Sequence, residues 1–186
     1  MVAETIPYRF SVEDFHRMAE VGILDDAKRT ELLDGEVVSM APIGTWHAFI
    51  TGRLTRLLIQ GLGDRAVVNA QNPVLLGEHS ELQPDIMVLR PPEERYRDRH
   101  PTATDCYLLV EVADSSAQFD RRRKLPLYAR HGVTEVWLID RQARRVELYR
   151  QPDRDARCYN WRRIRKTGEI SPAAFADLGI EIATLL

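Results

Sequence analysis

The sequence predicts an α/β fold, and three observations carry that prediction. Residues 82–89 and 106–113 are apolar runs of strand length, with the composition of strands buried on both faces. Residues 118–130 follow with helical character and end at Gly132, a left-handed stop. Residues 30–40 set Asp34-Gly35 between two apolar runs, the strongest short hairpin signal a sequence offers. Each long buried strand also carries a carboxylate, Asp85 and Glu111. An apolar interior tolerates such a group only when it is paired or bound to a metal.

The remaining elements fit around this frame. Ser11 caps a helix over 12–20, with Asp14 at the capping-box position. Thr45 caps a helix over 45–60 whose apolar face is Ala48, Phe49, Leu54, Leu57 and Leu58, and Gly61-Leu62-Gly63 stops it. Residues 65–76 form a β segment in which Pro73 marks an edge or a bend. Residues 90–104, with three prolines and mixed charges, read as a mobile polar loop between the two acidic strands. Pro126 should bend the helix that contains it. Strands are expected over 135–140, 145–150 and 158–164, with 171–186 packing as a tail.

Composition excludes several classes. With 44% hydrophobic and 29% charged residues among 186, the chain is ordinary for a soluble globular protein. No apolar run approaches the roughly 20 residues of a membrane span, and residues 1–7 show no secretory pattern. Cys106 and Cys158 are far apart and read as reduced thiols, so a cytoplasmic location is expected. No Walker loop, complete dinucleotide loop, HExxH pair or Gly-x-Ser-x-Gly elbow is present, so neither a nucleotide cofactor nor zinc is expected. The formal net charge is −2, yet residues 121–166 hold fifteen Lys and Arg against five Asp and Glu, a local net of +10. Such asymmetry marks either a phosphate-facing surface or arginine-rich solvated edges.

Asp85 follows Pro84, which holds its backbone extended and fixes its direction. Carboxylates are the natural ligands of Mg²⁺ or Mn²⁺ and leave positions open for water and phosphate. Lys124 could neutralise charge at an attacked phosphate or position the attacking water. A buried ion pair without chemistry would use the same residues. Asp120 and Lys124 could equally form an i, i+4 salt bridge, Tyr128 could be core, and Trp137 reads as core. His47 reads more readily as a surface residue than as a site residue. Arg121, Arg122 and Arg123 are either DNA-phosphate contacts or a solvated face.

In order along the chain stand Glu31-Leu32-Leu33-Asp34-Gly35-Glu36, Gln83-Pro84-Asp85, Val110-Glu111-Val112-Ala113, Asp120 through Lys124 to Tyr128, and Gly132-Val133-x-Glu135-Val136-Trp137-Leu138-Ile139-Asp140. This set resembles the PD-(D/E)XK nuclease superfamily, and more closely its widespread bacterial restriction-endonuclease branch. The resemblance implies a restriction-endonuclease-like core, a mixed central β-sheet flanked by helices, with an N-terminal helix and hairpin extension. Length and the lack of a linker predict one domain over 1–186, with the extension over 1–44, the nuclease-like core over 45–150, and a C-terminal strand and tail over 151–186; the resemblance itself covers roughly 30–150. It further implies Asp85, Glu111 and the Val112 carbonyl as metal ligands. The superfamily's lysine position, two residues after the Glu, is Ala113 here; the branch supplies the lysine from the next helix, as Lys124. Glu31 is a further acidic residue near the metal, and Gln83, on the strand face of Asp85, would orient it or contact substrate. Asp120 and Tyr128 complete the set. The expected activity is Mg²⁺- or Mn²⁺-dependent DNA endonuclease, with a homodimer suited to a two-fold duplex. The alternative is a nucleic-acid-binding module on a nuclease fold that cleaves poorly or not at all.

Overall fold

A computed structural model describes residues 6–25 and 28–186. Helix α1 (Val12–Glu20) opens on the expected capping box: Ser11 Oγ accepts from Asp14 N, and Asp14 Oδ2 accepts from Ser11 N, both at 3.0 Å. Strands β1 (Thr30–Leu33) and β2 (Glu36–Ser39) form the hairpin. Its turn holds Asp34 and Gly35 at φ 52° and 85°, the left-handed pair that a two-residue hairpin requires. A side chain at Gly35 would run into the backbone of Arg9, 2.8 Å away.

Helix α2 (Thr45–Leu62) is capped by the backbone of Gly44, so Thr45 is its first residue and not its cap. Its buried row is Ile50, Leu54, Leu58 and Leu62, the i, i+4 ridge of a helix. Phe49, expected on that face, is 59% exposed, because it precedes the ridge by one residue and so points about 100° away. Gly63, at φ 52°, ends the helix.

Strand β3 (Val67–Ala70) leads to β4 (Val74–Leu75), with Pro73 at the expected bend between them. The run over 82–89, expected as one strand, is two. Strand β5 (Glu81–Leu82) and β6 (Ile86–Leu89) belong to different sheets, and Gln83, Pro84 and Asp85 link them. Pro84 has no amide to give to a ladder, Gln83 N donates to Glu31 Oε1 at 2.8 Å instead, and the Asp85 carbonyl accepts from Gln71 N. The loop over 90–104 contains a 3-10 turn, Glu93–Tyr96, and leads into a second, Ala103–Asp105. Asp105 ties it down by accepting from Arg99, Thr102 N and Thr102 Oγ1 at 2.7–3.1 Å.

Strand β7 (Cys106–Ala113) is followed by helix α3 (Ala117–Phe119), a π turn (Asp120–Lys124) and helix α4 (Leu125–Arg130). The bend expected from Pro126 takes this form: proline crowds the preceding turn and removes its amide, and the helix widens there. Strands β8 (Glu135–Asp140), β9 (Arg145–Asp153), β10 (Cys158–Arg165), β11 (Glu169–Ile170) and β12 (Ile180–Glu181) complete the chain.

The main sheet runs β10-β9-β8-β7-β6-β3, antiparallel except for the β7–β8 pair, so it is mixed. A smaller sheet runs β2-β1-β5-β4. Alternation along β7 sends Leu108, Val110 and Val112 to the α2 side and Leu109 and Ala113 to the α4 side. Ile170, Phe175, Ile180, Ile182 and Leu185 of the tail close the α2-side core. Among the described residues no helix is long and apolar enough to cross a membrane.

One charged cluster lies in this frame, away from the acidic strands. Glu147 of β9 is fully buried and meets Arg121, Arg145, Arg162 and the Tyr149 hydroxyl. Burial pushes its carboxyl up, and the hydrogen bonds from Arg121, Tyr149 and Arg162 more than offset this, holding it at about 2 against an ordinary 4.5. The folded value is the lower one, so this stabilisation is complete above about pH 4.5 and drains away as pH falls toward about 2. Urea midpoints measured between pH 6 and 3 should therefore fall less steeply for Glu147→Gln than for wild type.

Candidate active site

The cleft forms where the small sheet, the end of β7, the start of α2 and the π turn meet. Its volume is about 200 Å³, and its lining includes His47, Gln83, Asp85, Glu111, Val112, Asp120 and Lys124. Asp85 leaves the broken strand at Pro84 and reaches β7, where its Oδ2 accepts from Val112 N at 2.8 Å. Its Oδ1 lies 2.9 Å from His47 Nε2. Glu111 projects from the α4 side of β7 and accepts from the Tyr128 hydroxyl at 2.5 Å. Both its oxygens lie 3.3 Å from Lys124 Nζ, whose shortest contact is Glu31 Oε1 at 3.0 Å. Lys124 therefore pairs with Glu31 and Glu111, where an i, i+4 bridge to Asp120 was the sequence alternative. Asp120 accepts from Ser116 Oγ at 2.9 Å.

The widened π turn is what lets this happen. Lys124 and Asp120 are both buried in that turn, and a buried lysine is stable only among carboxylates. Burial pulls the Lys124 ammonium toward discharge, but Glu111, Glu31 and Asp120 more than reverse this and hold it well above the ordinary lysine range. Burial pushes the Glu111 carboxyl well up; Lys124 opposes this, while Asp120, Asp85 and Glu31 add to it. Asp120 is raised to about 6, by burial first. Burial and the Glu111 charge push the Tyr128 hydroxyl well above its usual value, so it stays a donor.

The sequence-predicted residues thus separate into two groups. Asp85, Glu111, Lys124, Glu31, Asp120 and Tyr128 come together, and Val112 adjoins them through its amide. Gln83 is nearby but not on a shared strand face with Asp85: its amide N–H holds Glu31, and its side-chain carbonyl faces Arg29 at 3.5 Å. The arginine run is elsewhere engaged: Arg121 with Asp140 and Glu147, Arg123 with Glu36, while Arg122 is exposed. His47, expected at the surface, is 14% exposed and sits on Asp85. The signal was present: His47, Thr51, Leu54 and Leu58 share one helix face, at i, i+4, i+7 and i+11.

Among the described residues no three His, Cys, Asp or Glu side chains form a ready metal cage. The donors that line the cleft are nonetheless hard oxygens, the carboxylates of Asp85, Glu111, Asp114 and Asp120, with Val112 beside them. That set suits Mg²⁺ or Mn²⁺, which keep several waters of their own. Three carboxylates, Glu31, Glu111 and Asp120, act on Lys124, Asp85 adds a fourth buried acid to the cleft, and Glu31 Oε2 is buried without a partner among the described residues. A divalent cation would offset this surplus charge, so the residues present fit such an ion.

Comparison with known proteins gives the chain's family and fold. The chain is 31% identical over 130 residues to the Synechocystis protein sll1609, covering 67% of this chain and 73% of that one. It shares its fold with the crystal structure of a "putative nuclease belonging to DUF820" from Anabaena variabilis. The TM-score is 0.75 at 17% identity, over 95% of this chain and 97% of that one. Residues 12–184 match the profile of a family described as "Putative restriction endonuclease", and on that match the chain belongs to the Uma2 family.

Proposed function

We propose that the chain is a Mg²⁺- or Mn²⁺-dependent DNA endonuclease or nickase centred on this cleft. The observation that carries the reading is the convergence of Asp85, Glu111 and Lys124, from three separate elements, in one cleft of about 200 Å³. Asp85, Glu111 and the Val112 carbonyl would hold the ion. Bound there, it would polarise the phosphodiester and lower the pKa of an attacking water.

The chain's own groups do the rest. Val112 N–H and His47 hold the Asp85 carboxylate from two sides, which fixes its direction before any ligand arrives. Tyr128 and Lys124 do the same for Glu111. Lys124, kept as an ammonium by its carboxylates, supplies fixed positive charge where a phosphate gains negative charge. Glu31 sets the lysine's position, and the Gln83 amide sets Glu31. Of the three successive arginines, Arg122 is assigned to DNA phosphate contact, since its neighbours are held by carboxylates. Cutting both strands of a duplex would take a symmetric pair of chains.

A second reading draws on one observation: Lys124 and Tyr128 occupy Glu111 so closely that both are buried. It makes the chain a nucleic-acid-binding module that cleaves weakly. Nicking of supercoiled plasmid by purified protein in Mg²⁺ or Mn²⁺, abolished by EDTA, supports the first reading. Metal-independent binding with no nicking supports the second.

A further inference from the structure

We propose that the hollow between β10 and the C-terminal tail is a second binding site, one for single-stranded nucleic acid. Trp161, Arg163 and Arg165 alternate along β10, and the two-residue period of a strand puts them on one face. Arg150 faces Trp161 across the β9–β10 ladder. Its guanidinium lies 5.0 Å from the indole ring, and that of Arg163 lies 5.6 Å from it. These four side chains line a hollow of about 400 Å³, with Ser171 and Pro172 on the opposite wall.

The arginines differ in what holds them. Arg150 is anchored by Glu135 at 2.7 Å and by the Ser171 carbonyl at 2.9 Å. Among the described residues neither Arg163 nor Arg165 forms an ion pair with a carboxylate. Glu169 is the one acidic residue in the lining. Arg150 and Trp161 also border a second hollow, of about 560 Å³, that continues to Tyr107 and Arg90. The Arg90 guanidinium lies 4.4 Å from the Tyr107 ring. Positive and aromatic groups thus follow one another along a single path.

The chemistry selects the ligand. Guanidinium groups without carboxylate partners suit phosphodiester anions. A part-exposed indole offers a stacking face to a base, and only an unpaired base can reach it. A duplex keeps its bases stacked inside, and an acidic peptide would leave the indole unused. The site is also distinct from the cleft. Arg150, partner of Trp161, pairs with Glu135 at the start of β8, whereas Glu111 lies toward the far end of β7, which runs parallel to β8. Trp161 packs on the α2-side core, and Tyr128, which holds Glu111, belongs to the core on the other face. Binding here therefore does not depend on whether the cleft cuts.

Fluorescence anisotropy of labelled oligo-dT of about 20 nucleotides, with the full chain in EDTA over a range of salt, tests the site. Arg163→Glu/Arg165→Glu should weaken binding about tenfold or more and reduce the salt slope by roughly 1.4, two phosphate contacts of a single strand. Trp161→Leu, which keeps apolar packing but loses the stacking face, should weaken it roughly fivefold or more. Arg163 is exposed, Arg165 is part-exposed and neither belongs to the core, so that variant remains informative if Trp161→Leu does not fold. Unchanged affinity and slope in the arginine variant would overturn the proposal. So would equal competition by polyglutamate, since charge alone would then be read.

Discussion

Lys124→Met should unfold at markedly lower urea than wild type, with a loss of about 3–5 kcal/mol, the usual result of removing one member of a buried ion cluster. The side chain is 2% exposed, and its removal leaves the Glu31 and Glu111 carboxylates facing each other without a cation. Methionine has a similar length, so a cavity is not the cause. The double variant Lys124→Met/Glu31→Gln should recover part of the loss, because one stranded carboxylate is then gone. Equal stability of Lys124→Met and wild type would mean that the lysine is not the counterion of this cluster. The same substitution should remove nicking, since it takes away the buried cation that pairs with Glu31 and Glu111.

Asp85→Asn is the complementary case, with a large effect on activity and a small one on the fold. The amide keeps the size of the side chain and retains an oxygen for the Val112 N–H now bound at 2.8 Å. It loses the negative charge that a divalent ion requires. Nicking should fall by roughly three orders of magnitude, the several kcal/mol that an ion contributes to phosphate activation. The urea midpoint should shift little. Full activity in Asp85→Asn would remove this carboxylate from the ion site.

What the sequence made legible was local or strongly patterned. The Ser11–Asp14 box and the Asp34-Gly35 hairpin are decided within a few residues, and both stand where they were expected. Asp85 and Glu111 stand out because charge is costly in apolar surroundings, a property of composition that survives without coordinates; Lys124, preceded by three arginines, carries no such signal of burial. Less legible were outcomes in which one residue acts in two ways. Pro84 both aims Asp85 and ends the ladder, so Gln83 leaves the strand face that its spacing predicts. Pro126 announced a bend without saying that the bend would be a π turn that buries Lys124. Long-range pairing was not legible at all. The excess charge over 121–166 is partly absorbed by acids outside that segment: Arg123 by Glu36, Lys124 by Glu31 and Glu111, Arg130 by Asp34 and Arg141 by Asp114. His47 lay on the buried face of its helix, yet only the tertiary fold brings Asp85 to it.

Nicking of supercoiled plasmid by wild type in Mn²⁺ and in EDTA, beside Asp85→Asn, Glu111→Gln and Lys124→Met, reads the cleft most directly. Metal-dependent nicking in wild type, lost in all three variants at protein concentrations where each remains folded, is the expected result. Nicking that survives EDTA, or that persists in Asp85→Asn and Glu111→Gln, would contradict a metal-dependent nuclease centre in this cleft.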